Sequence, residues 1–215
     1  MIRPLLSVNS ADSNFFRIYA MPLPDEKAIE TRRRHTIEHF LTYNMVSSVL
    51  QEFYGISHSF LLRDEQGKPQ LIHPFLHINM AHCRGLAVCA VSSQPIGVDA
   101  EPPRKFRASA LKSVCTTLEQ QQIQSSKDEN AMFSRIWTLK EAYGKWHGGG
   151  IRLPLADIPF SLSEAKISFL HADADNFSFY QGIMQLNDIP YSISVCTGHL
   201  FNCTVSHEFT HFYTS

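Results

Sequence analysis

The sequence predicts an α+β fold made of two lobes of similar size, and three observations lead to this prediction. The chain has 215 residues, which is enough for one large domain or two small lobes. Hydrophobic residues make up 44% of it and aromatic residues 11%, so most of the chain can build a packed core. Patterns typical of helices and of strands occur in both halves. Pro102-Pro103 would interrupt a sheet ladder, so we place the lobes at residues 1–103 and 104–215.

The first half is predicted to contain a long helix followed by strands. Apolar residues recur at helical spacing over residues 25–54, and Gly55 is a suitable end for that helix. An apolar segment around residues 76–78 follows a turn and is predicted to be a strand. Two further strands are predicted at 86–91 and 96–101, and the short connection between them indicates a tight antiparallel pair.

The second half is predicted to contain two helices and then strands. One helix is expected through residues 111–114, and a second is expected to start at the capping-box pattern of residues 126–129. This second helix should end at the glycine run that begins at Gly148, because glycine adopts left-handed conformations freely. Alternating patterns at 177–183 and 191–196 are typical of strands.

Charge and cysteine usage limit the functions that the chain can have. A formal net charge of -1 and a pI near 6.8 argue against a nucleic-acid or membrane partner, since both attract basic surfaces. Any anion site must therefore be local. Five cysteines without a CxxC pair indicate buried thiols in a reducing compartment. No secretory leader or long apolar run is visible, so we expect a soluble, cytoplasmic protein.

Two acidic residues on a predicted strand could share a cation. Asp99 and Glu101 lie two residues apart, so their side chains leave the same face of the strand. Mg²⁺ typically takes one or two carboxylates together with water and phosphate oxygens. The alternative is a pair of ordinary solvated acids, and for an isolated D-x-E pattern this alternative is favoured.

A glutamate with neighbouring lysines and one histidine are further candidates. On the second predicted helix, Glu141 lies beside Lys140 and four residues before Lys145, so the glutamate could bind metal or accept a proton. The alternative is a surface ion pair that contributes about 0.2–0.5 kcal/mol. His82 follows a predicted strand and could contact a phosphate, although a structural role is more common for such a histidine.

The segment at residues 35–39 matches the H-x-x-E-H pattern of a class of zinc peptidases. His35 and His39 would lie on one face of a helix, with Glu38 between them. A zinc site of this kind needs a third ligand, and the sequence singles none out. A chance match among eleven histidines is therefore favoured over a zinc site.

Four motifs occur in the order and spacing of one protein family. They are G-K-P at 67–69, N-M-A-H-C at 79–83, G-V-D-A-E at 97–101 and W-T-L-K-E-A-Y-G-K at 137–145. Through them the chain resembles the 4'-phosphopantetheinyl transferases of the longer type, which activate peptide, polyketide and fatty-acid synthases. The resemblance is dense from about residue 67 to residue 155. It implies two α+β lobes related by a pseudo-twofold axis, with coenzyme A in the cleft between them.

The resemblance also implies an activity. The enzyme would transfer 4'-phosphopantetheine from coenzyme A to a serine of an apo acyl or peptidyl carrier protein, releasing 3',5'-ADP in a Mg²⁺-dependent reaction. Such an enzyme would be expected to act as a monomer. Two departures from the N-x-S-H-S motif, Ala81 and Cys83, remove hydroxyl groups that could bind phosphate. They leave open a non-catalytic module that binds coenzyme A or a carrier protein.

Site residues follow from the same resemblance, motif by motif. Metal ligands would be Asp99, Glu101 and Glu141, and catalytic residues would be Glu141, Lys145 and His82. Contacts with coenzyme A would come from Arg33, Arg34, Lys68, Pro69, Ala81, His82, Asp99, Lys140 and Lys145. The arginine that holds the 3'-phosphate would be one or more of Arg32, Arg33 and Arg34.

Overall fold

The structure is a computed structural model that describes residues 4–24, 31–57, 61–63, 69–148, 153–163, 166–200 and 203–215. Its first strands are β1 (Pro4–Asn9), β2 (Phe15–Pro22), β3 (Leu61–Arg63), β4 (Pro69–Leu71), β5 (His77–Cys83), β6 (Leu86–Ser92) and β7 (Ile96–Glu101). The later strands are β8 (Phe160–Leu162), β9 (Ile167–Phe169), β10 (Phe177–Leu186), β11 (Ile189–Gly198), β12 (Thr204–His207) and β13 (His211–Thr214). The α-helices are α1 (Thr31–Tyr54), α2 (Ala108–Val114), α3 (Thr117–Gln124) and α4 (Glu129–His147). This mixture confirms the predicted α+β class.

The chain forms two compact units. Unit 1 comprises Met1–Ile96 and Phe201–Glu208, and unit 2 comprises Gly97–Leu200 and Phe209–Ser215. The division falls after Ile96, the first residue of β7, whereas the sequence-based division at residue 103 assigned the whole strand to the first lobe. The reason is hydrogen bonding, because β7 pairs with β11 of unit 2. Asp99 and Glu101 therefore belong to the same unit as Glu141.

Unit 1 is built on an antiparallel five-stranded sheet with the order β12-β1-β2-β6-β5. Helix α1 packs against β5 and β6. Its buried residues, among them Met45, Val49 and Leu50, form the core together with Tyr19 and other side chains of the sheet. The predicted helix over 25–54 is confirmed from Thr31 onward, with Gly55 in a left-handed conformation at φ 66°, and residues 25–30 lie outside the described part.

Unit 2 is built on a four-stranded sheet with the order β13-β10-β11-β7. The long β10–β11 hairpin turns at Asn187 and Asp188, whose positive φ values are typical of a tight hairpin turn. Helix α4 packs against β11, and an aromatic core that includes Tyr143, Phe160 and Phe179 lies beside it. The strands predicted at 177–183 and 191–196 are thus confirmed.

Two details of the predicted elements are wrong. Strands β6 and β7 do not form a hairpin, because β6 pairs with β2 and β5 while β7 joins the other sheet. Helix α4 is capped by Asp128, whose side chain accepts a hydrogen bond from the Ala131 amide at 3.0 Å, and not by Ser126. A capping box lies instead at the start of α3, where Thr116 and Glu119 satisfy each other's backbone amides.

The predicted burial of the cysteines is largely confirmed. Four cysteines are buried, and Cys203 is half-buried. Burial raises the pKa of the Cys89 and Cys115 thiols to about 12, so both are protonated and unreactive at neutral pH. Within the described part of the chain, no helix combines the length and the apolar character that a membrane crossing requires.

Candidate active site

The candidate active site of unit 2 depends on a close approach between strand β7 and helix α4. A Cβ atom added to Gly97 would lie 1.9 Å from the carbonyl oxygen of Ala142 and 2.7 Å from the backbone nitrogen of Trp146. Both of these atoms belong to the backbone of α4, so only glycine allows the contact. The strand that carries Asp99 and Glu101 is thereby held against the helix that carries Glu141 and Lys145.

An ion pair joins the two elements. The Lys145 ammonium lies 2.7 Å from Oδ1 of Asp99 and donates a hydrogen bond to the Val98 carbonyl oxygen at 3.0 Å. Asp99 is only 8% exposed. Burial raises the pKa of its carboxyl group, and the charge of Lys145 opposes that effect. The sequence-based alternative of a solvated surface acid is therefore wrong for Asp99.

Glu141 and Glu101 complete a set of three acids. Glu141 is 8% exposed, and burial followed by the charge of Asp99 raises its pKa. The pKa of Glu101 rises to about 7, first through burial, then through the charge of Asp99, with a further contribution from Glu141. Each negative carboxylate disfavours ionisation of its neighbours, so the three acids interact electrostatically with one another.

Two carboxylate oxygens of this set have no hydrogen-bond partner among the described residues. They are Oδ2 of Asp99 and Oε1 of Glu141, and both are buried. A buried oxygen without a donor is costly unless something absent from the protein chain satisfies it. Hard oxygen donors of this kind suit Mg²⁺, which needs only one or two carboxylates besides water and phosphate. The chemistry of these acids therefore fits a magnesium ion.

The acids are not arranged as a closed metal cage. Among the described residues, no group of three or more His, Cys, Asp or Glu side chains is placed to hold a metal ion by itself. Two of the acids face cations of the protein instead, since Lys145 pairs with Asp99 and Arg104 lies 3.6 Å from Glu101. Arg104 also stacks on Trp137, with its guanidinium 5.3 Å from the ring centroid.

Lys140 lies elsewhere. Its side chain is fully buried, and its ammonium contacts Oε2 of Glu119 at 2.8 Å and the Leu155 carbonyl oxygen at 2.7 Å. Glu119 is also fully buried and accepts hydrogen bonds from the Thr116 and Phe160 amides. The phosphate contact expected of Lys140 is not supported by this position, because a lysine inside the core cannot reach a ligand.

The other predicted contacts lie in unit 1. His82 is on β5, where its Nδ1 lies 3.9 Å from Oε2 of Glu38, a buried acid on α1. The ring of His82 also meets those of His35 at 5.0 Å and His39 at 6.0 Å between centroids. The H-x-x-E-H segment thus packs against His82, and the described residues form no metal-binding group there that would support the zinc hypothesis.

The remaining predicted contacts are also placed in unit 1. Pro69 begins β4, and Ala81 is buried within β5, the edge strand of the five-stranded sheet. Arg33 is exposed and Arg34 half-buried on the first turns of α1. Lys68 and the side chain of Arg32 lie outside the described residues.

Sequence reasoning missed several residues that shape the site or the core of unit 2. The close approach at Gly97 had a visible signal, since glycine inside a strand often marks a neighbouring backbone. Arg104 follows the two prolines and carried no signal. Glu119 had the capping-box spacing with Thr116, but nothing in the sequence pointed to its pairing with Lys140. Such a pairing joins residues of two helices and exists only after packing.

Comparison with known proteins agrees with the motifs. Residues 95–196, which include β7 and α4, match the sequence model of the 4'-phosphopantetheinyl transferase superfamily. The chain is 28% identical over 161 residues to the 4'-phosphopantetheinyl transferase Sfp of Bacillus subtilis, covering 72% of this chain and 71% of that protein. It is 34% identical over 148 residues to the 4'-phosphopantetheinyl transferase HetI of Nostoc, covering 64% and 60%.

These matches define a class of group-transferring enzymes with an α+β fold. The chain is similar to the 4'-phosphopantetheinyl transferases, and the predicted resemblance to the longer type is confirmed. A solved structure, the holo-[acyl-carrier-protein] synthase of Thermotoga maritima, is 17% identical, with a TM-score of 0.39 over 49% of this chain and 64% of that one. The assignment rests on the sequence matches.

Proposed function

We propose that this protein transfers the 4'-phosphopantetheine group of coenzyme A to a serine of an apo acyl or peptidyl carrier protein, releasing 3',5'-ADP. The observation that carries the proposal is the pair of buried, unsatisfied oxygens of Asp99 and Glu141 beside the Lys145 ammonium. They lie in the segment that matches the superfamily. We further propose that the enzyme acts as a monomer in the cytoplasm.

Asp99, Glu101 and Glu141 would hold Mg²⁺ in this proposal. When bound, the ion would neutralise charge on the pyrophosphate of coenzyme A. Asp99 and Glu141 are the stronger candidates, because each has a buried oxygen without a donor. Glu101 is more exposed and already faces Arg104, so its place as a ligand requires a rearrangement of that contact.

Glu141 would also accept the proton of the attacking serine. The serine oxygen forms a bond to the β-phosphorus of coenzyme A, the bond from that phosphorus to 3',5'-ADP breaks, and the serine proton passes to the carboxylate. A carboxylate has two oxygens, so one can face the cation while the other takes the proton. Lys145 would stabilise the charge on the phosphate oxygens, since its ammonium lies at the same cluster of acids.

The nucleotide end of coenzyme A would be held by residues of unit 1. We propose that His82 contacts a phosphate, with Glu38 orienting its ring. The same end would be met by Arg33, Arg34, Lys68, Pro69 and the backbone of Ala81. Ala81 and Cys83 point into the buried face of β5, so their lost hydroxyls would not face a ligand on the side of His82.

A groove near Glu101 suits the carrier protein. Its volume is about 400 Å³, and Phe106, Phe133 and Trp137 supply apolar walls. Basic residues of its lining are Arg104, Lys105 and Arg107. A groove of this composition fits an amphipathic helix with acidic side chains. Leu111, Val114 and Cys115 of the same segment are buried and belong to the core of unit 2.

Mass spectrometry of an apo carrier protein tests the proposal directly. Incubation with coenzyme A and Mg²⁺ should add one phosphopantetheine to the carrier and yield 3',5'-ADP. Binding of coenzyme A or of the carrier without any mass gain, across a panel of fatty-acid, polyketide and peptide carriers, would support the alternative of a non-catalytic module.

Replacement of Glu141 by glutamine should abolish transfer with little effect on folding. Glutamine has nearly the same shape as glutamate, but its neutral amide cannot accept the serine proton and brings no negative charge to a cation. The kcat should therefore fall about 10³-fold or more. The free energy of unfolding should change little, since Oε1 of Glu141 has no hydrogen-bond partner in the described part of the chain. Glu129→Gln, in the exposed first turn of the same helix, is the control. Normal turnover by Glu141→Gln would refute the assignment.

Charge reversal in the groove should weaken carrier recognition. Lys105 and Arg107 are both exposed at the groove, so Lys105→Glu/Arg107→Glu should raise the KM for an acidic carrier about tenfold and leave kcat nearly unchanged. Salt should raise the KM of the unmodified enzyme more than that of the variant. Lys127→Glu reverses an exposed charge outside the groove and serves as the control. Equal KM values for the groove variant and the control would contradict the docking proposal.

A further inference from the structure

Unit 1 contains a pocket that the proposed transfer reaction does not use. It has a volume of about 340 Å³ and is lined by Pro4, Phe15, Arg17, Tyr19, Phe53 and Tyr54. Small-molecule sites typically begin at about 300 Å³, so the pocket can hold a compact ligand.

The pocket walls follow from strand alternation and from the end of a helix. Phe15, Arg17 and Tyr19 lie at alternate positions of β2, so their side chains leave the same face of the sheet. Helix α1 ends at Tyr54, which places Phe53 and Tyr54 against that face. The Phe15 and Tyr54 rings stack at 6.4 Å, and the Tyr19 and Phe53 rings lie 5.0 Å apart. Aromatic surfaces therefore form most of the walls.

Arg17 brings a positive charge to these walls. Its guanidinium lies 4.8 Å from the Phe15 ring centroid and donates one hydrogen bond to Oδ1 of Asn9 at 3.3 Å. A guanidinium has five N–H donors, so several remain for another acceptor. No carboxylate among the described residues forms an ion pair with Arg17.

The two tyrosines supply one more donor. Their hydroxyl oxygens lie 3.1 Å apart, and a single proton serves this hydrogen bond. The hydroxyl that accepts it retains its own proton, for which the described residues provide no acceptor. Tyr19 is only 1% exposed, and burial raises the pKa of both phenols, so both remain neutral donors. This partly buried hydroxyl can donate its proton to a ligand or to water in the pocket.

We propose that this pocket binds a small aromatic carboxylate. The ring would lie against Phe15 and Phe53, and the carboxylate would accept hydrogen bonds from Arg17 and from the tyrosine pair. A planar anion matches this set because guanidinium groups bind carboxylates through two parallel N–H donors. The site is independent of the proposed transfer reaction, since none of its residues belongs to the candidate active site.

Titration of the full-length protein with benzoate tests the proposal through backbone amide signals of ¹⁵N-labelled protein. Benzoate should shift the signals of Phe15, Arg17 and Tyr54 with a dissociation constant of about 1 mM or lower. Acetate lacks the ring and benzyl alcohol lacks the charge, so both should bind at least tenfold more weakly. Absence of benzoate-dependent shifts up to about 10 mM, or equal binding of acetate, would overturn the proposal.

Variants of Arg17 test whether its guanidinium contributes to benzoate binding. Arg17→Met keeps an apolar side chain of similar length and should weaken benzoate binding at least tenfold. Arg17→Gln serves the same purpose if the first variant does not fold. Arg84→Met removes an exposed arginine of unit 1 outside the pocket and should bind benzoate within twofold of the unmodified protein. Unchanged affinity in a folded Arg17 variant would overturn the proposal.

Discussion

Replacing Lys140 by methionine is expected to lower the free energy of unfolding by about 3–5 kcal/mol. The reason is the fully buried ion pair with Glu119. Methionine fills much of the space of the lysine stem but leaves the Glu119 carboxylate in the core without its counter-ion. The hydrogen bond to the Leu155 carbonyl oxygen is lost as well. Equilibrium unfolding in urea measures the change, provided that the transition is two-state.

The double variant Glu119→Gln/Lys140→Met should recover part of this loss, because it removes both charges from the core. Recovery should be incomplete, since Glu119 also accepts hydrogen bonds from the Thr116 and Phe160 amides and one amide oxygen cannot serve both equally. Lys127→Met, an exposed position, should change the stability by less than about 0.5 kcal/mol.

The same variant distinguishes two roles of Lys140. A core role predicts a large loss of stability. The phosphate role that the resemblance implies predicts nearly normal stability and a raised KM for coenzyme A. A folded Lys140→Met protein with a stability change below about 1 kcal/mol and a raised KM would therefore contradict the structural role inferred from the buried position.

Among substitutions of uncharged residues, Gly97→Ala is expected to lower the rate of phosphopantetheine transfer most. Its Cβ would lie 1.9 Å from the Ala142 carbonyl oxygen, whereas ordinary contact begins at 3.4 Å, so the backbones must separate by up to about 1.5 Å. Asp99 would then move away from Glu141 and Lys145. A displacement of about 1 Å can cost about 10²-fold in rate, and overpacking typically costs about 1–3 kcal/mol of stability. Steady-state kinetics and urea unfolding measure the two effects.

Gly148→Ala provides a matched control. Gly148 caps the same helix at φ 81°, and an added Cβ would meet nothing within 4 Å. Its replacement should cost about 1–2 kcal/mol through backbone strain and leave the transfer rate nearly unchanged. If Gly97→Ala retained normal kcat/KM while Gly148→Ala did not, the close approach at Gly97 would have no role in positioning the acids.

Much of the candidate site could be predicted from the sequence because its residues are close in sequence. Asp99 and Glu101 share a strand, Glu141 and Lys145 share a helix, and period-2 and period-3.6 patterns assign each pair to one face. Helix α1 and the β10–β11 hairpin were predictable for the same reason, since their apolar periodicity and their turn residues are local.

Contacts between distant segments could not be predicted in this way. Strand β7 looks like the hairpin partner of β6, and only the hydrogen bonds of β11 assign it to the other sheet. Lys140 and Lys145 look alike on the helix, but one side chain enters the core and the other meets Asp99. Sequence spacing fixes the direction of a side chain relative to its own helix, not the element that packs against it.

The amino-acid sequence by itself determined the α+β class, the helix and strand that carry the acids, and the resemblance to the 4'-phosphopantetheinyl transferases. Tertiary structure alone decided which of these groups meet. It brought β7 against α4 through Gly97, paired Asp99 with Lys145, and buried Lys140 against Glu119. The physical reason is that propensity and periodicity act over a few residues, whereas burial and ion pairing depend on packing between segments far apart in the chain.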